Sequence, residues 1–226
     1  ELGGAGQTIV HDDADIAEAA LICARNSMRL AGQSCISVQT VYVHRAAYDA
    51  FVEKLVAEVR KLKLGDPADP QTDVGTLIDE RTAQRIESWV REAEAGGARI
   101  LTGGKRNGAQ LEPTVLVDVT PAMKVVCDEV FGPVVSVLPY DDFSAACATV
   151  SASRFGLQCG VFTKSIHLAI QAVRSIRTGG VIINGSSTWR TDQLAYGGVK
   201  DSGIGREGPR YAIRDMTEER LMLLNL

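Results

Sequence analysis

The residue best suited to covalent chemistry is a cysteine in a turn of small residues. Cys35 follows Gly32-Gln33-Ser34 just beyond the end of a predicted helix, and small residues let other groups approach its sulfur closely. A cysteine thiolate forms near neutral pH and attacks carbonyl carbons well. No base stands close in sequence, because His44 falls on a predicted strand and His11 in a loop. The chemistry of Cys35 would therefore depend on groups that the fold brings to it.

The other cysteines have the pattern of structural residues. The five cysteines are Cys23, Cys35, Cys127, Cys147 and Cys159, an odd and widely spaced set without a CxxC pair. Such a set fits neither a disulfide framework nor a zinc site, so we expect free thiols in a reducing, cytoplasmic compartment and no bound metal. Cys23, Cys147 and Cys159 fall inside helix or strand patterns, where a cysteine behaves as a small buried hydrophobic residue.

A glycine-rich segment near the carboxyl end matches the dinucleotide-binding pattern by letter only. Residues 203–208 read Gly-Ile-Gly-Arg-Glu-Gly, which fits GxGxxG. That motif binds phosphate where a strand precedes it and a helix follows it. Here the polar run Lys200-Asp201-Ser202 precedes the segment and Pro209 follows it at once. We therefore predict a tight turn at this position.

The composition is that of an ordinary globular protein. The 226 residues are 45% hydrophobic and 23% charged, with a net charge of −4, which predicts one domain with at most an appendage. Acidic and basic residues are interleaved, whereas a nucleic-acid-binding surface needs clustered basic residues. No run of about 18 apolar residues occurs, so we expect no membrane span.

Short apolar strands alternate with amphipathic helices along the chain. The clearest helix covers 45–63, because its apolar positions follow the three-and-four spacing of one buried face. A helix from about Asp15 to Leu30 begins at an acidic cluster and stops at Gly32. Other helices are predicted at 79–95, 143–150 and 166–176, and strands at 8–10, 38–44, 100–102, 115–117, 134–139, 160–162 and 181–183. This alternation predicts an α/β domain with a mostly parallel sheet flanked by helices.

The chain ends in an apolar run, Leu221-Met222-Leu223-Leu224. One interpretation is an oligomerisation strand over 216–226 that pairs with the sheet of a partner subunit and makes a homo-oligomer. The other is a buried final strand within one subunit. On either interpretation, residues 1–215 form the main domain.

Four segments occur in an order and spacing that resemble the carboxy-terminal half of the aldehyde dehydrogenase superfamily. They are Glu1–Gly4, Gly32–Cys35, Asp128–Val134 and Tyr196–Glu207. Each segment is short, but together they extend the resemblance from the first residue to the last. Because the chain opens at Glu1 without an initiator methionine, we interpret it as the catalytic portion of a longer polypeptide whose cofactor-binding domain lies upstream.

The resemblance implies roles for four residues. Cys35 would attack a small aldehyde to give a thiohemiacetal, hydride would leave to the nicotinamide, and Glu1 would activate the water that hydrolyses the resulting thioester. Glu129 would hold the nicotinamide ribose hydroxyls, and Phe131 would border the nicotinamide ring. The implied activity is oxidation of an aldehyde to a carboxylic acid with NAD or NADP. A covalent sulfur intermediate and a carboxylate base suit these two half-reactions.

The chain departs from the family pattern in two places. Ala5-Gly6-Gln7 stands where relatives usually carry an Asn and a Pro. The family's oxyanion-donor asparagine lies upstream of Glu1, and such a donor is worth about 10²–10³ in rate. We therefore expect this chain alone to be inactive toward aldehydes with NAD(P).

Two segments resemble particular branches of the family. Residues 182–190 and 206–216 are most similar to branches that act on small oxygenated or anionic aldehydes, such as lactaldehyde, glyceraldehyde-phosphate, phosphonoacetaldehyde and semialdehyde dehydrogenases. On this resemblance Trp189 and Arg190 would lie near the substrate mouth, where Arg190 could meet an anionic group. The alternative is an ordinary surface arginine in a loop.

Two other functions remain open. A non-catalytic fragment acting as an oligomerisation or binding module would retain the fold without the chemistry. A thiol esterase without cofactor would need a base close to Cys35. Relatives that pass the thioester to coenzyme A are disfavoured, because they generally lack the carboxylate that Glu1 supplies.

Overall fold

Nine strands and seven α-helices alternate along the computed structural model, which describes residues 1–226. The strands are β1 (Gln7–Val10), β2 (Thr40–His44), β3 (Arg99–Thr102), β4 (Arg106–Asn107), β5 (Gln110–Leu111), β6 (Thr114–Val117), β7 (Val134–Tyr140), β8 (Gln158–Phe162) and β9 (Gly180–Ile183). The helices are α1 (Ile16–Met28), α2 (Arg45–Val59), α3 (Glu80–Ala95), α4 (Lys124–Cys127), α5 (Phe143–Ala152), α6 (Ile166–Ser175) and α7 (Pro209–Asp215). The predicted alternation of helices and strands is confirmed.

Seven strands form one sheet in the order β3-β6-β7-β2-β1-β8-β9. Every neighbouring pair is parallel except β3 with β6. All residues of β1 and β6 are buried, as expected for a parallel sheet that helices cover on both faces. The predicted mostly parallel sheet is confirmed. Strand β3 runs antiparallel because only the small β4–β5 hairpin connects it to β6, and a parallel crossover needs a longer connection.

Helix α1 begins where the sequence predicts and ends earlier. The Asp15 carboxylate caps it by accepting a hydrogen bond from the backbone N–H of Glu18 at 3.0 Å. The helix stops at Met28, and Leu30 and Ala31 then take left-handed conformations with φ values of 55° and 53°. The predicted end at Leu30 is therefore wrong by two residues. The left-handed turn redirects the chain toward β2 and carries Cys35 with it.

Helix α2 is also shorter than predicted. Its buried face, with Phe51 and Leu55 fully enclosed, follows the predicted spacing. The helix ends at Val59, because the N–H groups of Lys61 and Leu62 bond carbonyls only three residues back. The chain therefore closes in a tighter turn. Leu62 still packs against the core, which explains why the apolar pattern continues beyond the helix.

Three cysteines are core residues, as predicted. Cys23, Cys147 and Cys159 are completely buried, and all five thiols are free. Burial raises the pKa of each of the three, to about 11 for Cys147. These thiols remain protonated at neutral pH.

The apolar tail lies outside the sheet. Residues 217–226 form neither helix nor strand, and residues 221–224 are between 69% and 91% exposed. The interpretation as a buried final strand within one subunit is therefore wrong. No strand forms there in the single chain, and pairing of 216–226 with a partner subunit stays a prediction. No helix has both the length and the apolar character needed to cross a membrane.

Candidate active site

The predicted site residues lie at one edge of the sheet. Cys35 and Glu129 precede the amino ends of β2 and β7, and Glu1 precedes that of β1. These three strands are neighbours in the order β7-β2-β1, so their amino ends meet. Together with Phe131, the three residues line one open cavity of about 550 Å³. Residues up to 130 positions apart in the sequence thus surround one thiol.

The Cys35 thiol is half-buried and has a hydroxyl as its neighbour. Its sulfur lies 3.0 Å from the hydroxyl oxygen of Tyr196. Burial raises the pKa of Cys35, the hydrogen bond with Tyr196 lowers it, and the negative charges of Glu1 and Glu129 raise it further. The net effect is a pKa above the ordinary thiol value. At neutral pH this thiol is mostly protonated, so nucleophilic attack requires a group that removes the proton or stabilises the thiolate.

A glycine contact places the Cys35 turn against the segment that carries Glu129. Gly32 has φ +71°, and a Cβ at this position would overlap the carbonyl group of Gly132. The backbone of Gly132 in turn packs so closely on Ile86 of α3 that a Cβ there would overlap its side chain. Only residues without side chains allow these two loops to approach so closely.

The Glu129 carboxylate is anchored by the backbone next to Glu1. Its Oε1 accepts a hydrogen bond from the N–H of Gly4 at 3.0 Å, and its oxygens fill the space that a Cβ of Gly3 would occupy. Burial raises the pKa of Glu129, although the bond from Gly4 partly opposes this effect. Glu129 is therefore a fixed, half-buried acceptor at the cavity wall.

Glu1 is exposed but its backbone is held. The N–H of Leu2 donates to the carbonyl oxygen of Ser202 at 3.0 Å, and the Glu1 Oε1 accepts from the N–H of Gly3 at 2.9 Å. Gly203 packs against this backbone, where an added Cβ would lie 3.3 Å from the Glu1 Cα. The carboxylate thus has one oxygen tied to the backbone and the other free to accept a proton.

A buried glutamine, which the sequence analysis missed, supports the Glu129 segment. The side-chain N–H₂ of Gln39 donates to the carbonyl oxygens of Val125 and Asp128, at 3.2 and 2.6 Å. Its side-chain oxygen accepts from the N–H of Val130 at 2.9 Å. Three backbone groups that no strand pairs are satisfied by one side chain. A polar residue just before the buried run of β2 was the available signal.

Tyr196 was also missed as a functional residue. Its backbone N–H and C=O both pair with Glu207, at 3.1 and 2.6 Å. The Arg190 guanidinium lies over its ring, 4.1 Å from the centroid. The signal was its place at the head of the Tyr-Gly-Gly segment, to which the sequence analysis gave no role.

Trp189 and Arg190 lie beside a second, smaller cavity. This cavity of about 180 Å³ is also lined by Leu194 and Tyr196, so Tyr196 separates it from Cys35. Arg190 forms an ion pair with Glu207 at 3.2 Å, and its side chain is 41% exposed. The structure therefore does not bring Trp189 and Arg190 into the Cys35 cavity, although both lie one side chain away.

The glycine-rich segment 203–208 forms a turn, as predicted. Gly203, Gly205 and Gly208 all have positive φ values, and a short 3-10 turn over Lys200–Ser202, instead of a strand, precedes them. The segment supports Glu1 through Gly203 and Tyr196 through Glu207. Its role is structural.

The histidines do not supply a base for Cys35. His44 is the last residue of β2 and His11 follows β1, so both lie at the carboxyl ends of these parallel strands. His167 lies in the first turn of α6, which follows the carboxyl end of β8. Cys35 lies beyond the opposite, amino edge. A cysteine–histidine esterase arrangement is therefore absent.

Comparison with known proteins shows the family of this chain. The model of the aldehyde dehydrogenase family matches residues 1–222. A 3-sulfolactaldehyde dehydrogenase of Priestia aryabhattai is 50% identical over 226 residues, which cover all of this chain and 47% of that protein. The chain spans about half the length of the curated relatives it matches.

Solved structures show the same relationship. Aldehyde dehydrogenase 21 from Physcomitrella patens, in complex with the reaction product succinate, has a TM-score of 0.90 and 45% identity, over 96% of this chain and 46% of that one. The NADP-dependent glyceraldehyde-3-phosphate dehydrogenase of Bacillus halodurans, complexed with NADP, has a TM-score of 0.96 and 36% identity, over 100% of this chain and 47% of that one. The chain belongs to the aldehyde dehydrogenase family.

Proposed function

We propose that this chain is the catalytic portion of an NAD(P)-dependent aldehyde dehydrogenase that releases a carboxylic acid. The observation that carries the proposal is the meeting of Cys35, Glu1 and Glu129 around one cavity. A nucleophile, a carboxylate base and a fixed acceptor are the groups that the two half-reactions need. The membership of the family supports the same reaction class.

The first half-reaction begins at Cys35. The thiolate sulfur bonds to the aldehyde carbon, and the carbonyl oxygen takes up the negative charge to give a thiohemiacetal. Loss of a hydride from that carbon leaves a thioester on Cys35, and NAD(P)⁺, when bound, would accept the hydride. The open cavity beside the sulfur leaves room for the aldehyde.

The second half-reaction uses Glu1. Its free carboxylate oxygen takes a proton from water, and the water oxygen bonds to the thioester carbon. The carbon–sulfur bond then breaks, which releases the carboxylic acid and returns the thiolate of Cys35.

Glu129 and Phe131 are suited to hold the cofactor. A carboxylate accepts hydrogen bonds from both hydroxyls of a ribose, and Glu129 is fixed by Gly4 in a recess made by the missing side chain of Gly3. Phe131 has φ 52° and remains partly exposed at the cavity. An aromatic face held at this point would pack on a planar ring. The residues of this chain therefore fit the nicotinamide half of the cofactor.

Acylation by an active ester tests the proposal on this chain without the cofactor. We expect p-nitrophenyl acetate to acylate Cys35, and Glu1→Gln to slow hydrolysis of the acyl group by about 10²-fold, as loss of a general base does. Acylation itself should not slow, because Glu1 acts as a base only afterwards and loss of its negative charge makes the Cys35 thiolate easier to form. Intact-mass and peptide mass spectrometry over time measure both rates. Glu18→Gln, an exposed residue in the first turn of α1 at the opposite edge of the sheet, is the matched control.

The alternative role as a non-catalytic oligomerisation or binding module makes the opposite prediction. It expects Cys35 to react with the ester no faster than the exposed thiol of Cys127. It also expects Glu1→Gln to leave any hydrolysis unchanged. Either outcome would remove the support for the catalytic proposal.

We further propose that the substrate is a small anionic aldehyde and that Arg190 attracts its charged group. One similar protein is named a 3-sulfolactaldehyde dehydrogenase, and the structure of another contains the reaction product succinate. Both compounds are anions. Arg190 uses one of its five N–H donors on Glu207, and its exposure leaves others open. The cation lies one side chain from Cys35.

The role of Arg190 is tested by a ratio of substrates. The assay uses a polypeptide that extends this chain to the full length of its relatives. We expect Arg190→Leu to lower kcat/KM for an anionic aldehyde about tenfold more than for a neutral one. The reason is that a charge-assisted hydrogen bond contributes about 1.5–3 kcal/mol. Steady-state kinetics with succinic semialdehyde and butyraldehyde measure the ratio. Arg210→Leu on α7 is the control. Equal losses for both aldehydes would contradict the role.

A further inference from the structure

We propose that the Tyr196 hydroxyl is a catalytic hydrogen-bond donor that stabilises the Cys35 thiolate, both before attack and when the thioester releases it. This inference rests on the proposed function and adds a residue to it. The direct observation is the distance of 3.0 Å between the hydroxyl oxygen and the sulfur. Tyr196 therefore touches the reacting atom.

The relative acidity of the Cys35 thiol and the Tyr196 phenol decides which group donates the hydrogen bond. Either group can donate in the neutral state, but a thiol is the stronger acid of the pair. Burial raises the pKa of Tyr196 far above its usual range, and the contact with Cys35 raises it further. The phenol thus keeps its proton under conditions in which the thiol loses one. In the ionised pair the hydroxyl donates and the thiolate accepts.

The electrostatic surroundings make this donor necessary. Burial and the carboxylates of Glu1 and Glu129 all disfavour a negative sulfur, and the Tyr196 hydrogen bond opposes them. A neutral donor at a fixed distance stabilises the thiolate without neutralising it by a full positive charge. The nucleophile therefore keeps its reactivity toward the carbonyl carbon.

The hydroxyl is positioned from three sides. The backbone of Tyr196 is locked to Glu207 by two hydrogen bonds, and its ring packs with Ile36 and Leu157 in a small apolar cluster next to Cys35. The Arg190 guanidinium covers the ring and is itself held by Glu207. A ring fixed in this way cannot turn its hydroxyl away from the sulfur.

Arg190 also affects the acidity of the Tyr196 hydroxyl. Its positive charge lowers the pKa of Tyr196, against the larger effect of burial. A more acidic phenol donates a stronger hydrogen bond. The cation at the smaller cavity is thereby connected to the sulfur through one aromatic ring, so Arg190 acts here as a positioning residue.

Tyr196→Phe tests the inference on this chain, because thiol alkylation requires neither aldehyde nor cofactor. We expect the apparent pKa of Cys35 to rise by about one unit and its alkylation by iodoacetamide near pH 8 to slow about tenfold, since the thiolate loses a charge-assisted hydrogen bond. Peptide mass spectrometry across pH 6–10 gives the profile, and Cys127 in the same molecule is the internal reference. Tyr211→Phe on α7 is the matched control. An unchanged Cys35 profile in folded Tyr196→Phe would overturn the inference.

A second measurement covers the case in which the phenylalanine variant does not fold. Incorporation of 3-fluorotyrosine at position 196 keeps the hydroxyl and makes it more acidic. We expect the Cys35 profile to shift toward lower pH. A shift toward higher pH, or none, would contradict a donating hydroxyl.

The inference and the proposed function fail separately. If unsubstituted Cys35 is not acylated by the ester, the proposed function fails, whatever the alkylation profiles show. If Cys35 is acylated and released through Glu1 while Tyr196→Phe leaves the alkylation profile unchanged, only the role of Tyr196 fails.

Discussion

Cys35→Ser is expected to lower the rate of aldehyde oxidation by roughly 10³- to 10⁶-fold, the range that follows loss of a covalent nucleophile. A serine hydroxyl is far less acidic than the thiol, and the acidic surroundings of Glu1 and Glu129 disfavour its ionisation still more. The measurement is reduction of NAD(P) at saturating aldehyde, in a polypeptide that extends this chain to the full length of its relatives.

The control for this variant is Cys127→Ser, which removes an exposed thiol outside the cavity. We expect it to retain ordinary activity. Mass spectrometry of the quenched reaction should show an acyl group on Cys35 both in the unsubstituted protein and in Cys127→Ser. Retention of more than a tenth of the activity by Cys35→Ser would mean that another group carries the acyl chain.

Gly32→Ala is expected to destabilise the fold by about 3–4 kcal/mol, the sum of a left-handed backbone cost and an overlap in a packed interior. The new Cβ would overlap the Gly132 carbonyl group, so the Cys35 turn must move away from the Glu129 segment. Urea unfolding followed by circular dichroism measures the free energy.

Gly205→Ala separates the two contributions. Gly205 has φ +72°, almost that of Gly32, but no atom lies within 4 Å of the added Cβ. Gly205→Ala should lower the free energy of unfolding only by the cost of the left-handed backbone conformation, about 1–2 kcal/mol. If the two variants were equally destabilised, the contact between Gly32 and Gly132 would contribute nothing to stability in solution.

The fold was largely predictable because its elements carry local signals. The cap at Asp15 and the apolar face of α2 can be recognised in the amino-acid sequence, and α1 and α2 both start where predicted. The end of α1 was placed too late, because the left-handed residues Leu30 and Ala31 are not glycines and give no warning. The end of α2 was placed too late because the apolar spacing continues through Leu62, beyond the last helical residue. The direction of β3 depends on a hairpin connection that the sequence pattern does not reveal.

The site was predictable only through resemblance to a family. Spacing alone gave Cys35 no partner, since Tyr196 approaches it from 161 residues away. Gln39 was missed because a polar residue at a strand end has many ordinary explanations, and its three backbone partners come together only in the folded chain. Such long-range contacts depend on the crossing of loops at a sheet edge, which periodicity cannot describe.

The fully buried thiols make local opening of this fold measurable. Cys23 lies on α1, Cys147 on α5 and Cys159 on β8, three elements of one hydrophobic core. A reagent reaches each sulfur only after its own segment unfolds, so each alkylation rate, relative to exposed Cys127, measures the opening free energy of that segment. Equal rates would describe a single cooperative unit, whereas a faster rate at one position would identify the part of the fold that opens independently of the rest.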